Sequence, residues 1–124
     1  MLEHEQLTEQ IIGAAIEVHR HLGPGLLESA YRKCMVRELE LRGFEVQAEV
    51  PLPIEYKGIS IEPAFRMDLV VNGLVVVELK AVDSFVPVHE AQLLTYLKLS
   101  GKKVGLMFNF QSPVLKDGII RRVL

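Results

Sequence analysis

The chain has 124 residues, 49% of them hydrophobic, and a formal net charge of −2. That is enough for one compact core and too little for two ordinary domains, so residues 1–124 are expected to form a single domain. The one cysteine, Cys34, excludes an internal disulfide or a cysteine-built zinc cluster; with no apolar run near the roughly 20 residues that span a bilayer and an acidic rather than apolar start, a cytoplasmic protein without membrane contact is expected.

Taken in order, Leu7, Ile11, Ala14, Ala15, Val18 and Leu22 recur at helical spacing and predict an amphipathic helix from Glu5 to His21, ended by Gly23-Pro24-Gly25. His19 and His21 read as helix-capping groups, since no third metal ligand lies nearby in sequence. A second helix is expected from Leu26 to Arg42, with Leu27, Tyr31, Cys34, Glu38 and Leu41 on one side and Gly43 as its stop. Phe44 to Val50 reads as a strand. Pro51 and Pro53 then demote Ile54 to Ile61 to an edge hairpin or ragged strand. A central hairpin occupies Phe65 to Ala81, a third helix Pro87 to Leu99, a strand Lys103 to Phe110, and a short last strand Ile119 to Val123. This order suits an α/β sandwich with a mixed central sheet flanked by helices, in which the third helix is the crossover between parallel strands.

The hairpin from Asp68 to Lys80 holds Asp68, Glu78 and Lys80 inside two apolar runs split by Asn72-Gly73. A charge in a buried strand is costly unless something pairs with it. Glu78 and Lys80 share a face by the period of two, and Asp68 must join them. A two-residue turn at Asn72-Gly73 would point Asp68 away from Glu78. A three-residue loop, Val71-Asn72-Gly73, instead pairs Asp68 with Val76 and Arg66 with Glu78, leaving the two carboxylates as diagonal neighbours. That register, or an equivalent bulge upstream, is expected.

Oxygen ligands from one or two carboxylates suit magnesium, so Asp68 and Glu78, with the Leu79 carbonyl as a third donor, form a candidate Mg2+ or Mn2+ site, and Lys80 would hold water or stabilise developing charge. The same residues also fit a cross-strand salt network of Arg66 with Glu78 and Asp68 with Lys80 on a wet face. On the third helix His89, Gln92 and Tyr96 form a polar stripe opposite Leu94 and Leu97. Glu28 and Tyr31 lie one turn apart at the start of the second helix, where a carboxylate favours the helix dipole. Charge is unevenly spread: residues 1–97 carry 8 basic and 15 acidic groups, residues 98–124 carry 6 and 1. The basic tail (Lys98, Lys102, Lys103, Lys116, Arg121 and Arg122) either lines a phosphate track or forms a solvated rim.

Gly25-Leu26-Leu27-Glu28-Ser29-Ala30-Tyr31 resembles the signature of the GxxExxY proteins, as do His19 to Pro24, Glu78 to Val82, Glu90 to Leu97, and Asp117-Gly118-Ile119 with Arg121. The likeness covers nearly the whole chain. That family is grouped with the PD-(D/E)XK nucleases, and the resemblance implies a restriction-endonuclease-like core with Asp68, Glu78 and Lys80 as the catalytic set, although Met67 stands where the pattern has proline. It further implies that Gln92 and Tyr96 match the Gln-x-x-x-Tyr element of the RecB-like branch. Glu28 then joins Asp68, Glu78 and Leu79 as a metal ligand, and Tyr31 joins Gln92 and Tyr96 in binding substrate. The expected function is Mg2+-dependent hydrolysis of DNA or RNA, with a homodimer or larger complex as the possible assembly. Two alternatives stand beside it: a non-catalytic binding or assembly module with the same fold, and a metal-dependent phosphatase or nucleotidase.

Overall fold

The computed structural model describes residues 3–124, and the backbone alone at residues 63 and 64; Met1 and Leu2, part of the acidic start, lie outside it. Helices α1 (Glu5–Leu22) and α2 (Glu28–Leu41) precede strands β1 (Val46–Tyr56), β2 (Ile59–Val71) and β3 (Val75–Lys80), followed by α3 (Pro87–Ser100), β4 (Val104–Asn109), a 3-10 turn (Leu115–Gly118) and β5 (Ile119–Val123). The strands form one mixed sheet in the order β1-β2-β3-β4-β5. Among the described residues only β3 and β4 are parallel, and α3 makes the crossover between them. Among the described residues no helix is long and apolar enough to cross a membrane.

Each face of the sheet has its own core. Ile11, Ala14, Tyr31, Met35 and Leu39 of α1 and α2 pack on Leu69, Val71, Val75, Val77 and Leu106, while Leu93, Tyr96 and Leu97 of α3 pack on Val70, Val76 and Met107. The α3 helix sits close because position 105 is glycine. A Cβ there would lie 2.7 Å from the Leu93 Cδ1, inside any real contact distance. Strand β4 is buried along its whole length, as expected of a strand covered on both faces.

Several expectations need correction. The second helix begins at Glu28 and buries Tyr31, Met35 and Leu39, an i, i+4, i+8 row. Leu27 and Leu41 are exposed, because that row, rather than the flanking leucines, faces the sheet. Cys34 is half-buried against the same core, a packed side chain as its position suggested. His19 does not cap its helix; it is buried and its Nε2 lies 2.8 Å from the Ser112 carbonyl.

The prolines do mark the sheet edge, as expected, but they do not end β1, whose register against β2 shifts between Leu52 and Ile54. The strand runs through Pro51 and Pro53 because β1 is at the sheet edge, where an absent N–H breaks no outer ladder. Consequently β1 and β2 form one long hairpin closed at Lys57-Gly58, both at positive φ as a two-residue turn requires.

The β2–β3 register also differs. Its pairs are Leu69 with Val77, Val70 with Val76 and Val71 with Val75, so the three loop residues are Asn72, Gly73 and Leu74 rather than Val71, Asn72 and Gly73. The cause is Asn72: it exchanges backbone hydrogen bonding with Glu45, its N–H reaching the Glu45 carbonyl at 2.8 Å while its Oδ1 accepts the Glu45 N–H at 2.9 Å. Both Asn72 and Gly73 take positive φ, and the loop gains Leu74. Parity is preserved by this shift of two, so Asp68 comes level with Glu78 instead of diagonal to it. Arg66 pairs with Pro51 of β1, not with Glu78.

Candidate active site

Apart from the register shift between Leu52 and Ile54, the side-chain alternation of β1 and β2 breaks at the level of Glu49 and Asp68. Val46, Leu69 and Val71 point to the α1–α2 core, yet Val50, Leu52 and Met67 point to the α3 core. Between the paired sets Ala48–Leu69 and Val50–Met67 the ladder skips Glu49 and Asp68, and Glu49 adopts φ 52°. Side chains change faces there, which a regular strand forbids. On the other side of β2, pairing with β3 also stops at Leu69–Val77.

Side chains take over where the backbone ladder ends. The Asp68 N–H donates to Glu78 Oε2 at 2.8 Å, and the Leu79 N–H donates to Asp68 Oδ2 at 2.8 Å. The two carboxylates therefore sit in the seam between β2 and β3, each bound by one oxygen. Glu78 is 3% exposed. Burial, and then the neighbouring Asp68 charge, push its carboxyl up to about 8 against a hydrogen bond from the Asp68 N–H and the pull of Lys80. Burial also raises Asp68, opposed by the Leu79 N–H and by the charges of Arg32 and Lys80. Two adjacent carboxyls that resist ionisation together hold an electrostatic deficit which a cation would relieve.

The remaining groups approach from both helical layers. Lys80 Nζ donates to Gln92 Oε1 of α3 at 3.0 Å. Tyr96 lies one turn further along α3; it is buried, not on the wet side, and its ring is 5.7 Å from that of Phe65. Burial, followed by the charges of Glu78 and Asp68, pushes its hydroxyl up to about 12, so it remains a neutral phenol. His89, expected in the same stripe, instead accepts the Val86 N–H through Nδ1 at the start of α3. From α2, Glu28 Oε2 accepts the Ala81 N–H at 3.2 Å, and Arg32 places its guanidinium 3.8 Å from Asp68 Oδ1 and 3.5 Å from Glu49 Oε1.

Two sequence expectations change here. Tyr31 cannot meet a substrate: it is 0% exposed, stacked on Phe110 at 4.4 Å, with its hydroxyl donating to the Gly23 carbonyl and accepting the Leu26 N–H. With Gly25 donating to Gln111 Oε1, the Gly-x-x-Glu-x-x-Tyr stretch fastens the α1–α2 turn to the segment after β4 and aims Glu28 at Ala81. The basic tail does not form one track beside the carboxylates, although Lys116, in the segment after β4, lies beside His19 and Arg20 at the Lys80 end of the sheet. Lys98, Lys102 and Lys103 follow α3 to the end of the parallel pair opposite Lys80, while Arg122 pairs with Glu90 and Arg121 with the Glu3 carbonyl.

Sequence reasoning missed Arg32 and Asn109. Arg32 follows Glu28 by four, a spacing that puts both on one helix face. Asn109 is a buried amide closing the apolar run of β4, where it must find partners; its side chain bonds both the N–H and the carbonyl of Val82 and so fixes the chain just past Lys80.

The donor set fits a hard divalent cation. Asp68 Oδ1 and Glu78 Oε1 are left by the hydrogen bonds above, and one or two carboxylates completed by water are what Mg2+ takes. Among the described residues no three His, Cys, Asp or Glu side chains are grouped so as to hold an ion by themselves. Glu28 accordingly stands at the rim, bound to Ala81. The curated proteins and the solved structures compared with the chain gave no match. The sequence profile of the PD-(D/E)XK nuclease superfamily, however, matches residues 5–123, which span every helix and strand of this fold, and the chain therefore belongs to that superfamily.

Proposed function

We propose that residues 1–124 are one nuclease domain that hydrolyses phosphodiester bonds in DNA or RNA with Mg2+ or Mn2+, within the GxxExxY group of the RecB-like branch. The observation that carries this reading is the buried Asp68–Glu78 pair, whose charges are short of compensation and each of which keeps one carboxylate oxygen unbonded beside Lys80. PD-(D/E)XK nucleases typically use divalent metals. Asp68 and Glu78 would hold the ion, with the Leu79 carbonyl as a further donor and Glu28 supporting from the rim. When bound, such an ion supplies positive charge against the developing phosphate charge and lowers the pKa of water.

The chain's own residues do the rest. Gln92 accepts from Lys80 and fixes its ammonium beside the acidic pair, where it orients water or offsets negative charge on the phosphate. Tyr96, buried on α3 where it feels the charges of Glu78 and Asp68, stays an uncharged phenol and adds no charge of its own to the acidic pair. The test is cleavage of labelled single- and double-stranded substrates in Mg2+ and Mn2+, together with ion binding. Cleavage and ion binding that both vanish in Asp68→Ala, with folding kept, support the reading; a well-folded wild type that neither cuts nor binds an ion refutes it.

A second reading, a binding or assembly module that works as a homodimer or with a protein partner, draws on the β1–β2 hairpin. Beyond the sheet it leaves Tyr56, Ile59 and Ile61 exposed, and the Tyr56–Ile59 pairing puts these on one apolar face with Ile54. Sedimentation of wild type and Ile59→Ser distinguishes them: a stable oligomer lost in the variant, with no cleavage in either, favours the module.

A further inference from the structure

Arg32 is held unlike an ordinary structural arginine. A buried guanidinium that braces a fold forms short, often bidentate bonds of about 2.7–2.9 Å with its carboxylate. Arg32 instead hovers at 3.8 Å from Asp68 and 3.5 Å from Glu49, distances at which attraction is kept but no well-formed hydrogen bond is made. Its side chain is 20% exposed. One of its two acids, Glu49, is half exposed and stands at the break in β1, on a backbone with φ 52°.

The charge around the seam gives this arrangement a purpose. Glu28, Glu49, Asp68 and Glu78 gather four carboxylates near the reacting position, while Lys98, Lys102, Lys103, Arg121 and Arg122 of the basic tail lie elsewhere. An approaching phosphodiester therefore meets a negative field, which Arg32 on the α2 side and Lys80 on the α3 side are placed to offset. Lys80 is engaged with Gln92, whereas Arg32 has a planar fork of donors suited to two phosphate oxygens at once.

We infer that Arg32 is a phosphate-binding residue, kept between Glu49 and Asp68 until substrate arrives, and that its ligand is the pair of non-bridging oxygens of a nucleic-acid phosphodiester. The inference rests on the proposed nuclease site. A cation on Asp68 weakens that carboxylate's hold on Arg32, and the guanidinium is then available to the phosphate. Arg32 thus competes with the ion for Asp68 while helping the substrate, and the two effects have opposite signs.

The experiment measures both on the intact chain: Mn2+ affinity by calorimetry, and affinity for a labelled single-stranded oligonucleotide by fluorescence anisotropy with Ca2+ as the cation. In Arg32→Ala, Mn2+ binds about three- to tenfold more tightly, since a positive charge beside the site is gone, and the oligonucleotide binds about tenfold more weakly. Arg32→Lys restores the weaker Mn2+ affinity but only part of the oligonucleotide affinity, because charge returns without the fork. If Arg32→Ala weakens Mn2+ binding or leaves oligonucleotide affinity unchanged, Arg32 merely braces Asp68 and this inference fails alone. If wild type binds no Mn2+ at all, the nuclease site fails and takes the inference with it.

Discussion

Strand β3 has two neighbours and treats them differently. Toward β4 it pairs without interruption from Val75–Val104 to Lys80–Asn109, six residues deep. Toward β2 it pairs at three positions, and then Asp68 and Glu78 substitute their carboxylates for the missing backbone partners. The parallel seam is buried and regular; the antiparallel seam is open at its end, where two carboxylates bridge it. One strand is thus fixed along one edge so that it can present acids along the other, and a site that resists its own charge state persists only because the surrounding structure holds it.

The sharpest way to break this contrast is to remove the charges and leave the ladder. Asp68→Ala and Lys80→Ala should each lower metal-dependent cleavage about 10³-fold or more, the loss expected when a ligand or a charge-stabilising group is taken from such a site. Circular dichroism should stay at the wild-type signal, since neither side chain belongs to the apolar cores. Cleavage persisting in a folded Asp68→Ala would show that the open seam is not where the chemistry happens.

The next effect is on stability and has a definite sign. Glu78 is raised from 4.5 to about 8 in the folded chain, so the folded state holds a proton that the unfolded state has released over that window. Stability is therefore fully present below about 4.5 and falls as pH rises through about 8. Glu78→Gln keeps an oxygen for the Asp68 N–H and removes the charge, so it should flatten this slope and stabilise the ion-free protein by a few kcal/mol at pH above the raised value, while abolishing cleavage. Chemical denaturation across that pH range checks it. A wild-type stability that climbs with pH would contradict the crowded-carboxylate picture.

The same contrast explains what could be read from the sequence. Apolar spacing of 3.6 located the first helix, Gly and Pro punctuation bounded the second and third to within a few residues, and continuous apolar runs marked the parallel strand and the last strand. The candidate site residues were legible for the opposite reason: Asp68, Glu78 and Lys80 interrupt apolar strands, and a buried charge demands a partner. What escaped was set by contacts between distant segments. The hairpin register depends on Asn72 meeting Glu45; the edge hairpin from Ile54 to Ile61 was legible in Pro51 and Pro53, and only its continuity with the preceding strand was not. Tyr31 was placed in the candidate site only by the family resemblance of its motif, and the stacking on Phe110 reveals it as a clamp.

On the closed seam the expected effects are structural. Gly105→Ala forces a Cβ against Leu93 and Leu97 and should destabilise the chain by about 1–3 kcal/mol, a fall of several degrees in Tm, with Mn2+ affinity unchanged once folding is secured. Scanning calorimetry paired with ion titration makes the comparison. A Gly105→Ala protein of native stability that binds Mn2+ poorly would mean that the two seams are not separable.

The smallest expected effect probes how finely the open seam is arranged. Gln92 touches Lys80 through one neutral hydrogen bond of 3.0 Å, worth roughly 0.5–1.5 kcal/mol, so Gln92→Ala should lower the cleavage rate about three- to tenfold. Because Gln92 touches the ammonium and neither carboxylate oxygen, Mn2+ affinity should remain at the wild-type value. Gln92→Glu offers an acceptor at the same place but adds a charge next to the acidic pair, so it should retain the Lys80 contact while making the pair still harder to ionise and shifting the pH–rate profile upward. A rate loss in Gln92→Ala with the profile in place, set against a shifted profile in Gln92→Glu, separates holding the lysine from tuning the acids; equal profiles in both variants would mean that α3 only packs against the site and does not set its charge.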